Sequence, residues 1–238
     1  MMVNNGQPKN ILVVEDDPSI ALLLKYNLEK AGHKAEIANT CPIAMDQLKN
    51  NHWDAAILDW NLPGGSGLDV CRYIRNHTRT AHMAVIMLTA RSEEIDEIMG
   101  FDVGVDDYVS KPFNMETFLL RLKAILRRSN FQEHIETGQT ILTYEDIHMN
   151  TQEHRVFRGD RPIILGPTEY RLLEFFVRHP RKVFSREELL LEIWGENLNV
   201  EIRTVDVHIR RLRKELNLQN DKNIIRTIRS AGYALDLE

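Results

Sequence analysis

"AAILDWNLPGGSG", residues 55–67, carries an apolar run straight into a carboxylate and then breaks into a proline and glycines. Asp59, at the break, is either a turn former or a group held at a strand end for chemistry. Four apolar residues bounded by turn residues fit a strand buried on both faces, the kind a parallel sheet contains. "DAAILD" (54–59) has four companions: "NILVVE" (10–15), "KAEIA" (34–38), "AVIMLT" (84–89) and "DYVS" (107–110). Between them lie helical spacings, such as Ile20, Leu23, Leu24 and Leu28, opened by Asp17 as N-cap and Pro18 in the first turn. Strands alternating with helices predict an α/β unit, a doubly wound five-stranded parallel sheet with helices on both faces.

In such a sheet, ligands gather outside the carboxyl ends of the strands. The first strand ends in Glu15, Asp16 and Asp17, the third in Asp59 and the fourth in Thr89, while the fifth is followed by Lys111 and Pro112. Asp16, Asp17 and Asp59 at one edge repel each other unless a cation sits among them. Mg²⁺ suits the place, because it takes oxygen ligands and keeps several waters. A carboxylate beside Mg²⁺ and a lysine can accept a phosphoryl group, with Lys111 as the second cation and the Thr89 hydroxyl bonding a phosphoryl oxygen. Singly, each of these residues reads as a cap, a turn or plain surface. At the ends of four strands of one sheet they read as an aspartyl-phosphate site.

At 238 residues the chain fits two ordinary domains. The polar, aperiodic residues 129–138 read as a linker between a domain at 10–128, preceded by a flexible 1–9, and a second at 139–238. The second domain begins with strand-like runs, "TILTYEDIHMN" (140–150) and "HRVFRGDRPIIL" (154–165). Helical patterns follow at 167–179, 185–193 and 201–216, and "NIIRTIRSAGYALDLE" (223–238) reads as a β-hairpin hinged at Ser230 to Gly232. No apolar run approaches the roughly 18 residues that span a membrane, and the start lacks a signal peptide, so a cytoplasmic protein without membrane contact is expected. Two cysteines, Cys41 and Cys71, are too few for a disulfide framework or a thiolate zinc site.

The net charge of -5 argues against a polyanionic partner, yet residues 203–229 hold eight basic residues against three acidic ones. On a helical wheel Val205, Ile209, Leu212 and Leu216 share one arc, and Arg203, Arg210, Arg211, Arg213 and Lys214 spread over the other side. A solvated amphipathic helix would look the same. Two preceding helices and a closing hairpin with Arg226, Thr227 and Arg229 turn it into a winged helix-turn-helix pattern. Its third helix would enter the major groove of double-stranded DNA and its wing the adjacent minor groove.

"VVEDD", "LDWNLPGGSG", "MLTA" and "DDYVSKPF" together resemble the flavodoxin-like receiver domain of bacterial two-component response regulators, over residues 9–128. "GPTEYRLLEFF", "SREELLLEIWG" and "RTVDVHIRRLRKEL" resemble the DNA-binding domain of the OmpR/PhoB subfamily, and the likeness extends to its phosphate-regulon regulators. The resemblance implies that a sensor histidine kinase phosphorylates Asp59, that Asp16, Asp17, Asp59 and the Asn61 carbonyl hold Mg²⁺, and that Lys111 contacts the phosphoryl group. It makes Thr89 and Tyr108 a switch pair and the Lys111–Pro112 bond cis. It implies a homodimer on phosphorylation through the receiver's fourth helix, fifth strand and fifth helix, with charge pairs Asp107–Arg121 and Asp102–Lys123. Glu97 and Thr117 depart from that pattern, which expects a basic and an acidic residue there.

On DNA the same resemblance implies that Arg203, Thr204, Val207, Arg210, Arg211 and Arg213 face the groove and Arg229 the wing's groove, on tandem half-sites. His208 is either a phosphate contact or a packed edge of the core face. The segment from Trp194 to Val200 matches a loop that touches RNA polymerase, with Trp194 itself a core anchor. The expected protein is a transcription factor for phosphate-uptake genes, not an enzyme. One rival is a phosphohydrolase, although that class places its acid and nucleophile as D-x-D after one strand. The other is a DNA-binding regulator that ignores phosphorylation.

Overall fold

The five apolar runs form one parallel sheet. Its strands are β1 (Asn10–Val14), β2 (Lys34–Ala38), β3 (Ala55–Asp59), β6 (Ala84–Thr89) and β7 (Asp107–Ser110), in the order β2-β1-β3-β6-β7. Between β3 and β6 lies a small hairpin absent from the sequence reading, β4 (Asn61–Leu62) and β5 (Gly65–Ser66). The computed structural model describes residues 7–90, 103–129, 140–195, 200–217 and 221–237. It divides the chain into two compact units, Met1–Ser129 and Asn130–Glu238.

Period-two alternation sorts the strand residues onto two faces. Leu12, Val14, Ala56, Leu58, Val85 and Met87 point to one core and Ile11, Val13, Ala55, Ile57, Ala84 and Ile86 to the other. The first core is covered by α2 (Cys41–Asn50) and α3 (Gly67–Asn76), through Leu48, Val70, Cys71 and Ile74. The second is covered by α1 (Pro18–Lys30) and α4 (Met115–Ser129), through Leu24, Leu28, Phe118, Leu122 and Ile125. Burial on both faces is why these strands read as unbroken apolar runs. Each fully buried Leu or Ile adds about 1.5–3 kcal/mol, and Leu24→Ala should cost about 2–5 kcal/mol through the cavity left. On α1 the buried stripe is Ala21, Leu24 and Leu28; Leu23, expected inside, is 50% exposed, because the sheet needs only a narrow arc of this helix.

The second unit opens with a four-stranded antiparallel sheet of β8 (Ile141–Tyr144), β9 (Ile147–Asn150), β10 (Arg155–Arg158) and β11 (Arg161–Ile163). Three helices follow, α5 (Pro167–Arg178), α6 (Arg186–Trp194) and α7 (Arg203–Leu216), and the antiparallel hairpin β12 (Ile225–Ile228) and β13 (Gly232–Leu235) closes the chain. Ser185 and Glu188 form a capping box that starts α6, each satisfying a backbone N–H that the helix leaves open. The core gathers Leu172, Phe176, Leu189, Trp194, Val205, Ile209, Leu212 and Leu235 from all these helices and the hairpin. At the carboxyl end of α7, Arg158 and Arg161 donate to the Leu216 carbonyl at 3.2 and 2.6 Å, where a cation also suits the helix dipole.

Candidate functional site

Parallel register builds the acidic site. Val14 pairs with Leu58, so the next residues on those strands, Glu15 and Asp59, emerge side by side. The carboxylates of Glu15, Asp16 and Asp59 have oxygen atoms within 4.8 Å of one another. Lys111 Nζ bridges two of them, 2.7 Å from Glu15 Oε2 and 2.8 Å from Asp59 Oδ1. Burial, together with their mutual repulsion, pushes the Glu15 carboxyl up, and burial with Asp16 nearby does the same to Asp59, Lys111 opposing both. Burial alone would lower Lys111, but its bonds to Asp59 and Glu15 outweigh that and hold its pKa above the usual lysine value.

Asp17, expected among the ligands, is elsewhere. Its Oδ1 accepts from the Ser19 and Ile20 N–H groups at 2.8 and 3.1 Å, capping α1, and those bonds lower its pKa. Sequence adjacency made Asp16 and Asp17 a pair, whereas strand register brings Glu15. The donor set is all oxygen and carries excess negative charge, which fits a hard divalent cation.

The rest of the pocket comes from strand ends. Trp60 N–H donates to the Leu88 carbonyl at 3.0 Å, and Lys111 N–H donates to the Thr89 carbonyl at 2.7 Å, so β3, β6 and the residue after β7 are tied together. Thr89 is fully buried, Tyr108 packs into the core with Val103 and Val105, and the Lys111–Pro112 bond is cis. Asn61 is exposed, two residues beyond Asp59. The chain turns sharply here: Gly67 N–H donates to the Trp60 carbonyl, and a Cβ on Gly67 would lie 2.1 Å from the Asp59 carbonyl oxygen. Only glycine lets α3 start this close to the end of β3. Ser66 and Asp69 then form the capping box of α3.

Of the expected dimer pairs, Asp107 and Arg121 bond within one chain, Arg121 Nη1 lying 3.0 Å from Asp107 Oδ1 and 3.0 Å from the Tyr108 carbonyl. Lys123 is exposed and Thr117 half-buried. Asp102, Glu97 and the stretch 91–102, where the resemblance expects a further helix of the joining face, lie outside the described residues, as do 196–199 of the segment expected to meet RNA polymerase.

On the second unit, α7 presents Arg203, Arg210 and Lys214 as one exposed stripe, with Val207 and Arg213 half-buried beside it and Arg229 exposed at the wing. Thr204 and Arg211, expected in the groove-facing set, are buried in this structure. Together with His208 they extend the packed arc at i, i+4 and i+7, and His208 and Arg211 meet Glu169 of α5. Glu169 Oε1 lies 2.7 Å from His208 Nδ1 and 3.9 Å from Arg211 Nη1. That partner stands 39 residues upstream of His208, where no wheel drawn on α7 can show it. His208 is thus the packed edge of the core rather than a surface contact, and Trp194 is a buried anchor beside it, ring centroids 5.2 Å apart.

An acidic pocket at the strand ends of a doubly wound sheet, followed by a winged helix with a basic stripe, defines a two-component response regulator with a DNA-binding output. Residues 11–123 match the response regulator receiver domain, and residues 160–235 match the family described as transcriptional regulatory protein, C terminal. The phosphate regulon transcriptional regulatory protein PhoB of Rhizobium meliloti (strain 1021) is 45% identical over 95% of this chain and 98% of its own length. Its namesake in Escherichia coli (strain K12) is 40% identical over 94% and 96%. A solved RitR mutant superposes with a TM-score of 0.79 at 27% identity, covering 97% of this chain and all of that one. This chain belongs to the OmpR/PhoB family of DNA-binding response regulators. Its relatives are transcriptional regulators, a receiver implies a histidine kinase partner, and among the described residues no helix is long and apolar enough to cross a membrane.

Proposed function

We propose that Asp59 is the phosphoacceptor of a phosphate-responsive transcription factor. In the transfer, the P–N bond of a kinase phosphohistidine breaks as a P–O bond forms to an Asp59 carboxylate oxygen. Lys111 offsets the charge on the phosphoryl group, and Thr89 donates its hydroxyl to a phosphoryl oxygen, with Tyr108 following as the second half of the switch. Glu15 and Asp16, with Asp59 and the Asn61 carbonyl, would hold Mg²⁺, which supplies charge neutralisation on the transferring group. The observation that carries this reading is the strand-end convergence of Glu15, Asp16, Asp59 and Lys111.

Phosphorylated receivers then pair, with Lys123 and the Asp107–Arg121 pair at the joining face, and two winged helices occupy tandem DNA half-sites. Linking two reading heads raises the effective concentration of the second, a gain of about 100-fold or more in affinity. Arg203, Val207 and Arg210 face the major groove and Arg229 the minor groove, while the Arg213 guanidinium is bonded to Ile225 and Thr227 of the wing. Residues 129–138 join the domains, and the segment from Trp194 to Val200 meets RNA polymerase. The PhoB relatives support a role in phosphate uptake.

The test is DNA affinity with and without a small acyl phosphate plus Mg²⁺, in wild type and Asp59→Ala. Tightening confined to wild type is expected. Equal tightening in both, or none in either, would remove Asp59 from the switch.

A further inference from the structure

Recognition helix and wing meet at a polar junction built from three parts of the second unit. Asp206, in the first turn of α7, accepts from the Tyr233 hydroxyl at 2.6 Å and from Arg186 Nε at 2.7 Å. Arg186 Nη2 also donates to the Tyr233 oxygen at 3.0 Å, and its guanidinium carbon lies 4.8 Å from the centre of that ring. Arg213 reaches the other wing strand, donating to the Ile225 carbonyl at 2.7 Å and to Thr227 Oγ1 at 2.6 Å. The start of α6, the exposed side of α7 and both strands of the wing are thereby tied together.

The backbone is shaped for this contact. Phe184 and Tyr233 exchange two backbone hydrogen bonds of 2.9 Å, which pins β13 against the residues that deliver Arg186. Gly232 has φ +129, and a Cβ there would lie 1.9 Å from the Phe184 carbonyl oxygen, so only glycine permits the approach. The ring of Tyr233 is buried, while the Asp206 side chain that its hydroxyl meets is 43% exposed.

A carboxylate at that position is costly to a DNA-binding surface. It repels phosphates at every sequence, in a stretch otherwise rich in arginine and lysine. Its two bonds, from Tyr233 and Arg186, point to another role, and that role rests on the reading that α7 and the wing contact DNA. We infer that Asp206, Tyr233 and Arg186 are positioning residues for DNA recognition. They fix the wing against α7 so that Arg229 and the exposed arginines of the helix reach their grooves together, and they set discrimination between sequences more than total affinity.

The sign of the effect separates this from a plain surface charge. With the full-length chain, affinities are measured on a duplex selected from random sequence and on its scrambled counterpart, across a salt series. Tyr233→Phe and Asp206→Asn should each weaken the selected duplex about 10-fold, the scale of one lost hydrogen bond to a charged group. Binding to the scrambled duplex should not weaken, and the salt slope of Tyr233→Phe should match wild type. Arg229→Ala should weaken the selected duplex in wild type but much less in Tyr233→Phe, because a wing already released has little left to lose. Should Tyr233→Phe unfold, Asp206→Asn gives the same comparison with the ring in place.

Tighter binding of Asp206→Asn to both duplexes alike, or an equal loss from Arg229→Ala in both backgrounds, would overturn the inference. Arg210→Ala reports on the underlying reading: it should weaken both duplexes. If it weakens neither, the DNA-contact reading falls and takes the inference with it; if it does and the junction variants leave discrimination intact, only the inference falls.

Discussion

In the receiver, three carboxylates crowd within 4.8 Å, two of them share Lys111, and burial raises the pKa values of Glu15 and Asp59. In the winged helix, two acidic groups that meet α7 are matched to partners from other elements: Asp206 to Arg186 and Tyr233, and the buried Glu169 to His208 and Arg211. Like charges forced together are poised to take up a cation or exchange a group, at a cost in stability. Opposite charges joined across elements fix geometry and leave chemistry to whatever the surface binds.

Removing one cation from each region tests that contrast most strongly. Lys111→Ala strips the bridge between Glu15 and Asp59 and should destabilise the receiver by about 3 kcal/mol, the scale of a broken buried pair. Mg²⁺ should restore part of the loss in a thermal melt. Arg210→Ala, on the exposed stripe, should change stability by less than about 0.5 kcal/mol. Its effect belongs in DNA binding, where each neutralised phosphate lost lowers the salt slope by about 0.9. A stable Lys111→Ala or an unstable Arg210→Ala would erase the distinction.

A pH series sharpens it. The folded-state pKa of Glu15 is raised above its ordinary 4.5, first by burial, so its contribution to stability is fully present below 4.5 and is lost as pH rises through the folded value. Without divalent cations the receiver should therefore lose stability between mildly acid and neutral pH. Glu15→Gln should flatten that fall and melt higher at pH 7. An unchanged slope in the variant would show that Glu15 is not among the crowded groups. The smallest effect is local: Ser66→Ala removes the cap of α3 and should cost about 1 kcal/mol, read by chemical denaturation.

The parallel sheet was legible because strands buried on both faces leave runs such as "AVIMLT", and because their carboxyl ends could be compared across strands. The strand-end positions of Asp59, Thr89 and Lys111 were legible for the same reason. The error at Asp17 has a physical source. Neighbouring residues after a strand diverge, and Asp17 was readable from sequence as the N-cap it proves to be, while Glu15, one residue beyond β1, continues the register toward Asp59. Leu23 misled because four apolar residues on α1 overstate the width of its buried stripe. Arg211 was out of reach for another reason: it is buried near Glu169, a neighbour that only the tertiary fold brings beneath α7. The hairpin of β4 and β5 has two-residue strands, too short for any alternation to announce.

The central claim is that the strand-end groups of the receiver form one phosphoacceptor site. Intact-mass measurement after incubation with a small acyl phosphate tests it directly, on wild type, Asp59→Asn and Lys111→Ala, with Mg²⁺ and with chelator. Wild type should gain a single phosphoryl group only in Mg²⁺, Asp59→Asn should gain none, and Lys111→Ala should be impaired. A phosphoryl group on Asp59→Asn, or one acquired by wild type equally well in chelator, would contradict the account.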